Sequence, residues 1–196
     1  IIVTIAKTLN NSKFKQFLFI YLNNSFLKFK SNDNSFLSSF NSLLNVNYII
    51  SLSVYISILF SNNLYGFNNN FETSIFFTTL VFIVVFIYTK YFIEILIGWE
   101  FNISKFVVSF NLQKNSFNKL LGIFIILLNS LAIYSFPNSI IFIKISIFFV
   151  ISLYVVGLYK VIRLNDNLIL SNMFYFILYL CTLEIVPILF IINELI

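Results

Sequence analysis

Histidine is absent from this 196-residue chain, and cysteine occurs once, at Cys181. Without histidine the chain cannot ligate haem or zinc through imidazole or build a His-based catalytic triad. One cysteine excludes a disulfide within the chain. The few acids, such as Glu94, Glu100, Asp166 and Glu184, are scattered and show no metal-ligand spacing. The sequence therefore predicts no catalytic residues, no metal site and no cofactor, and it argues against an enzyme.

Charge is also scarce, and this absence defines the class of protein. Only 10% of the residues are charged, whereas soluble domains carry about 25%. Apolar residues make up 60% of the chain, and several runs approach the roughly 20 residues that a helix needs to cross a bilayer. We predict an all-α, polytopic membrane helix bundle with about five transmembrane helices. The predicted spans cover residues 43–60, 74–99, 120–136, 139–159 and 173–192.

The first of these spans has the weakest signal, because Asn45, Asn47 and several serines dilute it. Before it lies a basic segment, 1–42, with five lysines and a single acid, Asp33. Apolar residues of this segment recur at roughly helical spacing between the lysines, which predicts a partly amphipathic helix. Two interpretations are open. The helix lies in the lipid headgroup region, or it packs against the protein's own cytoplasmic loops.

The positive charges are distributed unevenly along the predicted topology. Five basic residues lie in 1–42, three in 100–119 and two in 160–172, whereas the intervening connections carry none. Basic residues collect on the cytoplasmic side of membrane proteins. The pattern therefore predicts a cytoplasmic N-terminus and an external C-terminus. It also explains the net charge of +5 without nucleic acid, because no basic stripe on a soluble fold is present.

Glu184 is the most unexpected residue of the chain. It lies about halfway along the predicted span 173–192, which contains no other charge, and Pro187 follows three residues later. A carboxylate at the bilayer centre costs a few kcal/mol. Three solutions are open: protonation, pairing with Lys90 across a helix interface, or contact with water or a partner subunit. Pro187 predicts a helix kink that leaves the carbonyl of Leu183 free as an acceptor.

Three further polar side chains are candidates at membrane depth. Lys90 and Glu94 are one helical turn apart and can pair. Asn129 is the other strongly polar residue expected near the midplane. Lys144 lies close enough to the end of its span to extend its amine toward the headgroups. For Glu184, contacts that hold helices or subunits together are the favoured role, and ion or proton handling is the alternative.

The stretch LYLCTLEIVPILF at 178–190, preceded by LYKVIRLNDNLILSNMFYFI at 158–177, resembles the C-terminal signature of a membrane protein family. The family is an uncharacterised integral-membrane family of Bacteroidota, a domain of unknown function. Segments 118–135 and 12–26 are similar to family segments more loosely. The resemblance implies a bacterial inner-membrane protein and no particular activity. Its Leu-Tyr-Leu-Cys-x-Leu-Glu-Ile-x-Pro pattern falls on Leu178, Tyr179, Leu180, Cys181, Leu183, Glu184, Ile185 and Pro187.

Three hypotheses for function follow. The first is a non-enzymatic scaffold or accessory subunit of a cell-envelope membrane complex, with the lipid bilayer and other membrane proteins as its partners. The second is a component of a proton- or ion-coupled transporter that uses Glu184 as the carrier and Lys90 as its partner. The third is an organellar respiratory-complex subunit, because eleven lysines against one arginine and abundant Ile, Phe and Asn indicate a low-GC bacterial or organellar genome.

Overall fold

A computed structural model describes residues 2–9, 11–20, 39–64, 73–100, 104–135 and 139–165. These residues contain helices and no strand, which confirms the predicted all-α membrane helix bundle. Four of the described helices, within residues 40–60, 74–100, 107–134 and 141–164, are long and apolar enough to cross a membrane. The fifth predicted span, 173–192, lies outside the described residues. The helices are α1 (Ile2–Leu9), α2 (Asn11–Leu18), α3 (Ser39–Leu64), α4 (Thr73–Glu100), α5 (Ser104–Tyr134) and α6 (Ile140–Leu164).

Helix α5 is the centre of the described bundle, because it packs against α3, α4 and α6. Helices α3 and α5 run in the same direction, and α4 and α6 run in the opposite one. The starts of α3 and α5 therefore lie at the same end of the bundle as the ends of α4 and α6. We call this end the polar end and the opposite one the distal end. The polar end is marked by Asn41, Glu94, Lys114, Lys119 and Asn165.

Helix α3 tolerates its serines because their hydroxyls are satisfied within the helix. Ser51, Ser53 and Ser57 are buried, and each donates a hydrogen bond of 2.8–3.0 Å to the carbonyl three residues earlier. No hydroxyl among these three is left unpaired in an apolar environment, where it would cost free energy. Small residues also allow helices to approach closely in membranes. The residues that weakened the sequence signal thus favour packing between α3 and its neighbours.

Helix α5 begins much earlier than the sequence pattern predicts. The predicted span covered 120–136 and assigned 100–119 to a connection, but the helix begins at Ser104. No glycine or proline interrupts residues 104–121, so nothing in the backbone ends the helix there. The lysines that indicated a polar connection, Lys114 and Lys119, are buried against other helices. Both lysines bind side chains of neighbouring helices, and only the folded structure brings these groups together.

The N-terminal helices pack on the polar end of the bundle. Phe14, Phe17 and Ile20 of this segment are at most 7% exposed and share one apolar core with Phe40 of α3 and Phe110 of α5. The rings of Phe17 and Phe40 meet edge to face, with centroids 6.2 Å apart. The described part of segment 1–42 thus packs against helices of the bundle, and the choice between lipid headgroups and cytoplasmic loops for this segment stays a prediction.

A glycine allows α3 and α5 to touch backbone to backbone. A Cβ atom at Gly122 of α5 would lie 2.8 Å from the Cα atom of Tyr48 in α3. Real Cβ atoms do not approach a backbone atom so closely. The contact requires glycine for space rather than for its backbone conformation. Gly122 therefore sets the distance between these two parallel helices.

Candidate functional site

A buried ion pair joins α4 to α5 at the polar end. The Nζ atom of Lys114 donates to Oε1 of Glu94 at 2.6 Å. The side chains are only 10% and 2% exposed, so the pair is shielded from water and salt. The lysine amine also lies 6.0 Å from the centre of the Phe110 ring. A charge-assisted hydrogen bond in such surroundings is short and directional. The pair therefore fixes the register between the two helices.

Two further polar contacts tie α5 to α3 and α6 at the same end. Lys119, 3% exposed, donates to Oδ1 of Asn41 in α3 at 3.4 Å. Asn165, at the end of α6, donates to Oε1 of Gln113 at 2.7 Å and to the carbonyl of Val161 at 2.8 Å. The Asn165 side chain thus closes the last turn of α6 while it binds α5. All three helices that pack against α5 therefore make a polar contact with it at this end.

Two hydrogen bonds hold the middle and distal parts of the bundle. Asn129 of α5 donates through Nδ2 to the backbone carbonyl of Ser51 in α3 at 2.9 Å. The hydroxyls of Tyr55 in α3 and Ser146 in α6 are 2.8 Å apart. All four residues are buried. Hydrogen bonds between membrane helices contribute about 1 kcal/mol each. Asn129 thus makes a contact between α5 and α3, whereas the sequence indicated it only as a polar residue near the midplane.

The structure gives Glu94 a partner that the sequence did not suggest. The sequence predicted Lys90, one turn away on the same helix, whereas the observed bond comes from Lys114 on the next helix. Lys90 is half-buried, and its pairing with Glu94 stays a prediction. Lys144 is exposed on α6, and the extension of its amine toward the headgroups stays a prediction. Glu184, together with Cys181 and Pro187, lies outside the described residues.

The residue spacing in α5 contains a pattern that could have predicted the burial of Lys114. Apolar residues and Lys114 recur at intervals of three and four residues along one face, without interruption. That row predicts a buried helix face that continues through the lysine. The charge of Lys114 and Lys119 argued more strongly for a connection, and this weighting was wrong. The row consists of Val107, Phe110, Lys114, Phe117 and Leu121, all of them buried.

The polar side chains described above hold neighbouring helices together. Within the described residues, no group of three or more Cys, Asp and Glu side chains is placed to hold a metal ion. Three pairs at the polar end, Glu94–Lys114, Lys119–Asn41 and Asn165–Gln113, bind across helix interfaces. The buried side-chain amide of Asn111 makes no hydrogen bond within the described residues. The three pairs select one helix arrangement from several that an apolar surface alone would permit.

The fold and this set of contacts define a multi-pass helical membrane protein. Residues 1–195 match the family described as Domain of unknown function (DUF4271), and the chain belongs to this family. The match confirms the predicted membership of an uncharacterised family. Neither the curated proteins nor the solved structures contain a significant match to the chain.

Proposed function

We propose that the protein is a non-enzymatic scaffold or accessory subunit of a membrane complex in the cell envelope. The observation that supports this role most strongly is the use of the buried charges at the polar end. Glu94 and Lys114 are bonded to each other across a helix interface, and Lys119 binds Asn41. A carrier needs polar groups that exchange with water on alternate sides of the membrane. These groups are instead enclosed and serve the packing of helices.

Ion or proton coupling is the second candidate. Glu94 and Lys114 lie within helices long enough to span a membrane, and ionisable residues at such positions are frequently functional. Glu184 is the carrier that this hypothesis requires, with Lys90 as its partner. It predicts proton flux into liposomes that contain the purified protein, and loss of that flux in Glu184→Gln.

The first functional prediction is that the protein is isolated with a stable partner from its native membranes. We expect mild-detergent purification of the wild type to retain at least one other membrane protein, identified by mass spectrometry. Glu184→Gln is expected to lose that partner, because a neutral amide cannot replace the charged carboxylate of an ion pair at a membrane interface. Glu100→Gln is the matched control, since Glu100 is an exposed acid at the end of α4.

The outcomes separate the candidates. Loss of the partner in Glu184→Gln alone would assign Glu184 to assembly. Retention of the partner in both variants, with flux lost in Glu184→Gln, would favour ion coupling. Purification of the wild type without any partner, from membranes that express it at its natural level, would contradict the accessory-subunit role.

We further propose that the protein resides in the inner membrane of a bacterium of the Bacteroidota, with its polar end in the cytoplasm. The C-terminal motif and the low-GC composition support this origin. The exposed Lys7, Lys15 and Arg163 at the polar end support the orientation, because basic residues collect on the cytoplasmic side. An organellar origin is the alternative, and the genome that encodes the chain separates the two.

The orientation predicts a specific pattern of thiol labelling. In a Cys181→Ser background, Ser135→Cys, exposed at the distal end, should react with a membrane-impermeant maleimide in intact spheroplasts. Thr8→Cys, exposed on α1 at the polar end, should react only after lysis. Labelling of Thr8→Cys alone in intact spheroplasts would indicate the opposite orientation. Labelling of both variants would contradict the proposed topology.

A further inference from the structure

The outer side of α1 and α2 combines positive charge with large apolar side chains. The inner side of the same segment is buried in the apolar core that it shares with α3, α5 and α6. Three large apolar side chains of the segment are nevertheless 42–57% exposed. Three basic side chains, two of them in α1 and α2 and one in the last turn of α6, are exposed as well. These residues, which we call the basic surface, are Ile5, Lys7, Lys15, Leu18, Phe19 and Arg163.

Contacts with the spanning helices set the depth of this segment in the membrane. The ring of Phe17 meets that of Phe40, with centroids 6.2 Å apart, and Phe40 is the first residue of the α3 span. The same core includes Val107, the first residue of the α5 span, and Val161, close to the end of the α6 span. Lipid headgroups surround the ends of membrane spans. The basic surface therefore lies at the level of the headgroups.

The charges of the basic surface have no counter-ion within the described residues. Lys7, Lys15 and Arg163 form no ion pair there. The exposed acid of the described polar end, Glu100, ends α4, a helix that makes no extensive contact with α1 or α2. In the described helices the distal end offers a contrast, because its one basic residue is Lys144. Anionic headgroups attract basic residues that lie beside a membrane span.

We propose that the basic surface binds the headgroups of anionic phospholipids in the leaflet at the polar end. The ammonium and guanidinium groups of its three basic residues contact lipid phosphates, with which they form charge-assisted hydrogen bonds. Leu18 and Phe19 enter the boundary between headgroups and acyl chains, as apolar residues of interfacial helices do. The bundle thus holds one side of α1 and α2, and lipid holds the other. This inference does not depend on the accessory-subunit role.

Fluorescence quenching by labelled lipids tests the proposal at the surface itself. Trp99 is the single tryptophan of the chain, so Trp99→Phe/Phe19→Trp places one tryptophan on the basic surface. The purified variant is reconstituted in phosphatidylcholine vesicles that contain phosphatidylglycerol or phosphatidylcholine with a nitroxide near the headgroup. We expect labelled phosphatidylglycerol to bind beside the introduced tryptophan about fivefold more strongly than labelled phosphatidylcholine, the effect of one basic residue close to anionic lipid.

Charge substitutions in this background show whether the basic residues cause the preference. Lys7→Gln/Lys15→Gln/Arg163→Gln should abolish it, whereas Lys7→Arg/Lys15→Arg keeps the charges and should retain it. Lys144→Gln removes an exposed lysine of α6 and should change nothing. The unaltered chain supplies a control at the same end of the bundle. Its native Trp99, 73% exposed on α4, should show little preference between the two lipids.

Three results would overturn the proposal. One is a preference for phosphatidylglycerol that is absent, or that survives neutralisation of the three basic residues. Another is an equal preference at native Trp99, which would mean that the whole polar end attracts anionic lipid without a particular surface. The third is no quenching of the introduced tryptophan by either lipid while Trp99 is quenched, which would show that protein covers the basic surface.

Discussion

Replacement of Lys114 by methionine is expected to lower the free energy of unfolding by about 3–5 kcal/mol, the usual cost of removing one partner of a buried ion pair. The loss comes from Glu94, whose carboxylate is 2% exposed and would remain in a buried interface without the Lys114 ammonium. Methionine has a similar volume to lysine, so packing changes little. Reversible unfolding in mixed micelles, followed by circular dichroism, measures the effect.

Two variants establish that the loss comes from the orphaned carboxylate. The double variant Glu94→Gln/Lys114→Met removes both charges and should recover much of the stability, since replacement of a whole buried pair by neutral groups is often nearly neutral. Lys144→Met removes an exposed lysine of α6 and should change stability little. A double variant no more stable than Lys114→Met would refute this account of the pair.

Replacement of Gly122 by alanine is expected to destabilise the bundle by about 1–3 kcal/mol, as overpacking of a close interface does. The added Cβ would lie 2.8 Å from the Cα atom of Tyr48, so two helix backbones must separate. A flexible side chain cannot absorb this clash by changing its rotamer. Separation of α3 and α5 would also stretch the hydrogen bond from Asn129 to the carbonyl of Ser51. Unfolding in mixed micelles again measures the change.

Gly157 supplies the control for this substitution. A Cβ at Gly157 of α6 would lie 3.3 Å from the Cβ of Phe117, a side-chain contact that can yield by a few tenths of an ångström. Alanine at both positions gains the same helix propensity over glycine, about 1 kcal/mol. Gly157→Ala should therefore be clearly more stable than Gly122→Ala. Equal stability of the two variants would mean that the α3–α5 distance is not set by Gly122.

The two expected effects concern two different interfaces of α5. The ion pair specifies which face of α4 meets α5, whereas Gly122 specifies how closely α3 approaches α5. Neither feature requires a catalytic role. Together they account for a bundle in which polar residues are retained in an apolar chain because each determines a contact between particular helices.

The sequence predicted the class of fold because that class follows from local composition. Runs of apolar residues with few charges fit a bilayer wherever they occur, and the four described spans lie where the runs do. The helical segment 104–119 was missed because local composition does not show that Lys114 and Lys119 have hydrogen-bond partners on neighbouring helices. The candidate residue Asn129 was found by its polarity, but its acceptor, the carbonyl of Ser51, was not.

The sequence by itself determined that this chain is an all-α membrane protein, because the length and hydropathy of each helix are local properties set by the thickness of the bilayer. It also predicted that Glu94 and Asn129 lie at membrane depth. Only the tertiary structure decided that Glu94 binds Lys114, that Lys119 binds Asn41, and that the N-terminal aromatics complete the core. Those pairings depend on which helices are neighbours and on how each helix is rotated about its own axis. Neither property can be read from the sequence of one helix.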